Sequence, residues 1–133
     1  MTNTTQELRT FLLADAGVTA LVVDRVYSDV LTQGATLPAI VLTLVGGVSI
    51  YSTTGLSGLA SPKVQVDVYA ANPARRHALA DLVRLRLAGY SGPIGAGVAQ
   101  GIFLDSTRDL YEDAPKSYRR SFDFTVWNEE SAT

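Results

Sequence analysis

Two stretches of strict alternation constrain this chain most. Over Lys63–Tyr69, Val64, Val66 and Val68 fall on one face and Gln65, Asp67 and Tyr69 on the other. Near the end, Phe122, Phe124 and Val126 alternate in the same way with Ser121, Asp123 and Thr125. A period of two suits a strand with one face on a core and one toward water, and it does not fit an amphipathic helix. Strands over Lys63–Tyr69 and Tyr118–Asn128 therefore commit the chain to a sheet with an apolar face to cover.

Helices supply the cover. Asn72 is an N-cap residue, Pro73 suits the first helical position and Gly89 supplies a stop, so the spacing predicts a helix to about Ala88. On a helical wheel Leu79, Leu82, Val83 and Leu87 form its apolar arc, extended by Ala78 and Leu85, with His77, Asp81 and Arg84 opposite. Another helix is expected near the start. Thr4 as N-cap and Glu7 make a capping box, Leu8, Phe11 and Leu12 recur at helical spacing, and Gly17 is the expected stop, with Val18–Val22 adding a turn or two.

Arg25–Val30 reads as a short strand and Gln33–Pro38 as a loop. Ile40–Val45 is apolar on both faces apart from Thr43, the pattern of a strand buried on both sides. Gly46-Gly47 marks a bulge or bend, with Val48–Tyr51 able to continue the strand beyond it. Ser52–Ser61, rich in Gly, Ser and Thr and without periodicity, reads as a long hairpin loop between the second and third strands. Ser91–Gly97 reads as another loop, Val98 to about Arg108 as a strand, and residues from about 129 as a polar tail. The expected fold is α+β: one mainly antiparallel sheet with two helices packed on one face, in a single domain over residues 1–133.

Composition narrows the function. With 133 residues and 47% hydrophobic content the chain can bury a core of its own. The 11 Lys+Arg against 13 Asp+Glu give a net charge of −2, without the basic excess that nucleic-acid binding leaves. No cysteine is present, which removes disulfides, thiolate catalysis and thiolate metal sites. The start, Met1 to Glu7, has neither the basic residues nor the apolar run of a signal peptide, and the apolar stretches fall short of a bilayer span, so the chain is expected to be cytosolic when made, with no membrane partner.

Chemistry is sparse. The one histidine, His77, lies on the polar arc of a helix with no nucleophile beside it in sequence, so the reading is that the protein is not an enzyme and has no catalytic residues. Asp105, Asp109, Glu112 and Asp113 lack the ordered spacing of a calcium loop and read as a solvated acidic turn around Asp109–Asp113, so no metal or cofactor is expected. Gly92–Gly97 contains G-x-G with no helix after it to hold a phosphate.

Three features suggest contact surfaces. Leu56 and Leu59 lie in the glycine-rich segment, although single exposed leucines are ordinary. Arg75 and Arg76 occupy the first turn of the second helix, where the dipole disfavours cations, and Arg86 falls within its apolar arc, where snorkelling is the plain account. Arg119 and Arg120 start the last strand just after the acidic turn, where a hairpin salt bridge is the mild account.

Four blocks, taken in order, carry a resemblance. Leu8–Val30 reads LRTFLLADAGVTALVVDRVYSDV, Gln33–Val45 QGATLPAIVLTLV, Ser57–Ala70 SGLASPKVQVDVYA and Arg108–Trp127 RDLYEDAPKSYRRSFDFTVW. Together they resemble the tail-completion or tail-terminator family of long-tailed bacteriophages, prophages and gene transfer agents. Ala39 departs from the larger residue expected after Pro38, which touches packing more than role. The resemblance implies a structural virion protein that forms a ring, typically a hexamer, at the head-proximal end of the tail tube. Such a ring stops tube polymerisation and joins the tail to the head or neck, with the tube protein, the connector and its own copies as partners and DNA only passing through. Leu56 and Leu59 are then expected to make axial contacts, and Arg75, Arg76, Arg119 and Arg120 charged contacts between subunits. Two alternatives stay open: another head-completion adaptor, or a small hydrolase or ligand-binding domain using His77 or the acidic residues.

Overall fold

The computed structural model describes residues 4–29, 31, 36–46, 49–52, 55–60, 62–94, 97–113 and 116–129. Both alternating segments are strands, and they pair with each other. β1 (Val26–Ser28), β2 (Ala39–Gly46), β3 (Ser49–Ser52), β4 (Gly55–Ala60), β5 (Lys63–Ala70), β6 (Gly92–Ile94), β7 (Gly97–Asp113) and β8 (Lys116–Glu129) form one sheet. The antiparallel register sets Val64 opposite Phe124, Val66 opposite Phe122 and Val68 opposite Arg120. β2 lies on the other side of β5, with Ile40 opposite Val68 and Leu42 opposite Val66. Ile40, Leu42, Val64, Val66, Val68, Phe122, Phe124 and Val126 thus share one face, and all lie in the buried core.

Three helices cover that face: α1 (Thr4–Leu13), α2 (Ala16–Val22) and α3 (Pro73–Leu87). They contribute Leu8, Leu12, Val18, Val22, Leu79, Ala80, Val83 and Leu87 to the same cluster. α3 starts as its sequence predicts, with Asn72 Oδ1 accepting from the Arg75 amide at 2.8 Å and Gly89 at φ 78° beyond the C-cap. Its buried stripe is Leu79, Ala80, Val83 and Leu87; Ala78 and Leu85 face solvent, because the sheet meets the helix on the other flank of Leu79.

The expected pair of helices is corrected to three. Gly17 does not stop the first helix. Asp15 caps a new one, its Oδ1 accepting from the Gly17 amide at 2.8 Å and the Val18 amide at 3.2 Å, and Gly17 lies inside α2. The glycine serves close packing: a Cβ there would sit 3.3 Å from Leu82 Cδ2 and 3.1 Å from Asp15 Oδ1. α1 begins at Thr4 itself, and the Thr4 side chain of the expected capping box lies outside the described residues.

The long hairpin loop over Ser52–Ser61 is also corrected. β3 and β4 pair antiparallel, with Ser52 opposite Gly55, so both strands of the β2–β5 hairpin continue outward past their irregularity between Leu44 and Gly46. β1 pairs with β2 in parallel, the exception to the antiparallel order. Ser91–Gly97, expected to be a loop, contains β6. The acidic segment Asp109–Asp113 is strand: β7 continues through it, and Asp113 stands opposite Lys116. Burial on both faces of β2 holds only as far as Leu42. Leu44 and Val45 are exposed. No helix among the described residues is long and apolar enough to cross a membrane.

Phe122 is a fully enclosed aromatic in the core, so Phe122→Ala is expected to cost about 3–5 kcal/mol in denaturant unfolding. Gly17→Val, which forces α2 away from Leu82, is expected to cost about 1–3 kcal/mol in the same measurement.

Candidate assembly surfaces

The register places two hairpins at opposite ends of the sheet. At one end β3 and β4 extend past the last cross-strand pair of β8, Leu59 opposite Glu129. At the other, β7 and β8 run past Tyr118, the partner of Ala70, to Asp113 and Lys116. Leu56 stands opposite Tyr51 in the first arm and Leu59 opposite Glu129 at its root. Their side chains lie outside the described residues.

The arginines are tied into the chain's own fold. Asp109 is the hub at the start of α3. It accepts from Arg120 Nε at 2.7 Å and from Nη2 at 3.3 Å, and Arg76 Nη2 reaches it at 3.5 Å. Arg120 Nη1 also faces His77 Nδ1 at 3.5 Å, and Arg76 lies over the Tyr118 ring at 5.7 Å. The Arg120 hydrogen bond, with Arg76 and His77 nearby, holds the Asp109 carboxyl below its ordinary range, and Asp109 in turn raises Arg120. The hairpin bridge expected from sequence is therefore present. The reach of α3 into it through Arg76 and His77 was not foreseen.

The face away from the helices carries a second polar network. Arg119 Nη1 donates to the Tyr69 hydroxyl at 3.2 Å, and its Nε lies 3.9 Å from the buried Asp67 carboxylate, which accepts from Gln65 at 2.9 Å. Next along β8, Asp123 accepts from Ser106 Oγ at 2.6 Å and Arg108 Nη1 at 2.8 Å, contacts that lower its pKa, Ser106 first. Arg86, the cation in the apolar arc of α3, does not snorkel to water. It lies 3.8 Å from the Phe11 ring and donates to the Phe11 carbonyl at 3.2 and 3.0 Å, at the carbonyl-rich end of α1. Arg75 is exposed and contributes its backbone amide to the Asn72 cap.

Sequence reasoning missed Phe103. Its ring folds over Gly101, where a Cβ would lie 3.0 Å from two ring carbons, and the side chain stays 54% exposed beside Trp127, the cross-strand partner of Gly101. The register shift between Leu104 and Ser106 moves the next residues to opposite faces, which hides the alternation of β7. The hydrolase alternative gains no assembled centre: His77 faces Arg120 at the exposed start of α3. Among the described residues no group of His, Asp and Glu converges to hold a metal.

The sequence model of the family described as tail completion protein gp17 matches residues 6–129. No curated protein matches the chain. Among solved structures, its fold is similar to that of a chain in the virion of a native gene transfer agent particle. That chain is 21% identical, with a TM-score of 0.76 over 94% of this chain and 93% of its own length.

The Asp109 hub has a pH signature. Its folded pKa lies below the ordinary 3.8, so its stabilisation is complete above that value and is lost as the pH falls through the lowered one. The carboxylate is about half exposed, so Asp109→Asn is expected to cost only about 0.5–1 kcal/mol at pH 7. In thermal melts the gap to the parent protein should stay constant to about pH 5 and close below about pH 4.

Proposed function

The chain belongs to the tail completion protein gp17 family, and from that premise we propose that it forms a ring, a hexamer, on the head-proximal end of a phage-type tail tube. The ring ends tube growth and joins the tail to the head or neck, so the protein acts in the virion at the head–tail junction after synthesis in the host cytoplasm. Its partners are its own copies, the tube protein and the connector. The observation that carries this reading is the pair of hairpins at opposite ends of one sheet, since a ring between two cylinders needs a contact above and another below. The match to a gene transfer agent virion chain supports the same setting.

The role is one of shape. Arginines on the helix-bearing side and on the bare face hold carboxylates, a tyrosine and backbone carbonyls, which supports bracing over catalysis. A net charge of −2 suits a channel through which DNA slides, because a dense basic lining would retain phosphates. Leu56 and Leu59, on the β3–β4 arm, are proposed for axial contact with tube or neck. Arg75, Arg76, Arg119 and Arg120 are proposed for charged contacts between neighbouring subunits. Three of these guanidinium groups are already oriented by Asp109 or Tyr69.

Mass photometry and negative-stain images of the purified protein, alone and with tails, are expected to show rings and a terminal disc. Leu56→Asp combined with Leu59→Asp is expected to stay folded by circular dichroism and to abolish tail joining. Unfolding of the double variant overturns the assignment of the leucines. A protein found on tailless heads and absent from tails overturns the terminator reading in favour of an adaptor.

A further inference from the structure

The two lateral edges of the sheet are unlike and complementary. On one side β3 pairs only with β4 among the described residues, leaving its outer edge open. On the other, β6 covers β7 over Gly97–Ala99, and the Gly89 and Tyr90 backbones hold Ile102. From Phe103 onward the outer edge of β7 faces no strand among the described residues. Strand direction follows from the pairings. β2, β3 and β8 run toward the β3–β4 arm, and β5 and β7 run away from it. A second copy set beside the first in the same orientation therefore brings an outward-running β3 against an inward-running β7, and the antiparallel alternation continues unbroken.

The arm is also built to be covered. From Val30 to Pro62 the sequence has no charged residue, although the chain carries 11 basic and 13 acidic ones. Projecting edge strands are ordinarily protected by charges, and β3 has none. Where the open edge of β7 begins, the exposed Phe103 ring is the apolar surface that an uncharged strand shelters.

We infer that β3 of one copy adds to the open edge of β7 in the next, near Phe103–Arg108, so that neighbouring subunits share one continuous sheet. This deepens the ring reading above and rests on it. Pairing β3 with a second β3 would leave β7 open, whereas the unlike pairing satisfies both edges and is the head-to-tail contact that closes by rotation.

The geometry permits closure. Ser49 stands level with Asn128 through Ala60, and Thr107, within the open edge of β7, is level with Phe122, so pairing the two displaces the neighbour along the strands by about six residues, or ~20 Å. Across β3, β4, β8 and β7 one copy is ~19 Å wide. Equal steps incline the strands by ~45° to the ring axis, about the tilt at which closed sheets form.

The absence of cysteine makes the test clean. Ser49→Cys or Ser52→Cys is combined in turn with Ser106→Cys, Thr107→Cys or Arg108→Cys. Assembled protein is then oxidised, or bridged with a short bismaleimide, and run on a denaturing gel. At least one double variant is expected to give a ladder of covalent oligomers up to the ring, with every single variant remaining at monomer mass. Intact rings without a ladder from any double variant overturn this inference and leave the ring reading standing. Dimers from a β3 cysteine alone, or cross-links only to another tail protein, also overturn it. A chain that stays monomeric in solution and on tails overturns both.

Discussion

The central pairing of β5 with β8 is the contact on which the remaining structure depends. It sets Val64 and Val66 beside Phe124 and Phe122, and β2 adds Ile40 and Leu42 to the same face. One apolar platform results, wide enough for three helices, and all of their buried side chains join a single cluster. Shifting the register by one residue would turn this platform away from the helices and set Asp67, Ser121 and Asp123 against them. The hairpins, the arginine contacts and both open edges take their positions from that register.

Legibility followed the physics of each segment. α3 was plain because its Asn72 cap, Pro73 and Gly89 act locally, whatever packs on it. The platform was plain because alternation survives wherever one face is buried. The β3–β4 arm was not: Gly, Ser and Thr leave a strand without a burial period, and its pairing depends on a partner segment rather than on its own composition. Gly17 misled because a glycine near the end of a helical pattern suggests a stop, whereas here Asp15 restarts the helix and the missing side chain lets α2 approach Leu82.

The contact residues were legible in part. Opposite charges at Asp109 and Arg120 on a hairpin imply the cross-strand pair that is found, but the participation of Arg76 and His77 needs the docking of α3. Phe103 and the open edge of β7 were hidden by the bulge after Leu104, which breaks the period before a reader can use it. In a chain without disulfides, arginine does much of the fastening. Arg9 donates to the Val26 carbonyl, Arg25 to the Pro38 carbonyl and Arg86 to the Phe11 carbonyl, each joining two segments through the backbone.

The uncharged run from Val30 to Pro62 has a consequence for how such a joint behaves in a changing medium. Interactions between exposed charges fade beyond a Debye length of about 8 Å at physiological ionic strength, and faster in concentrated salt. In the proposed joint β3 brings no charged side chain, so its share of the contact rests on backbone hydrogen bonds that leave counterions nothing to screen. Any salt dependence falls on Asp105 and Arg108 of β7.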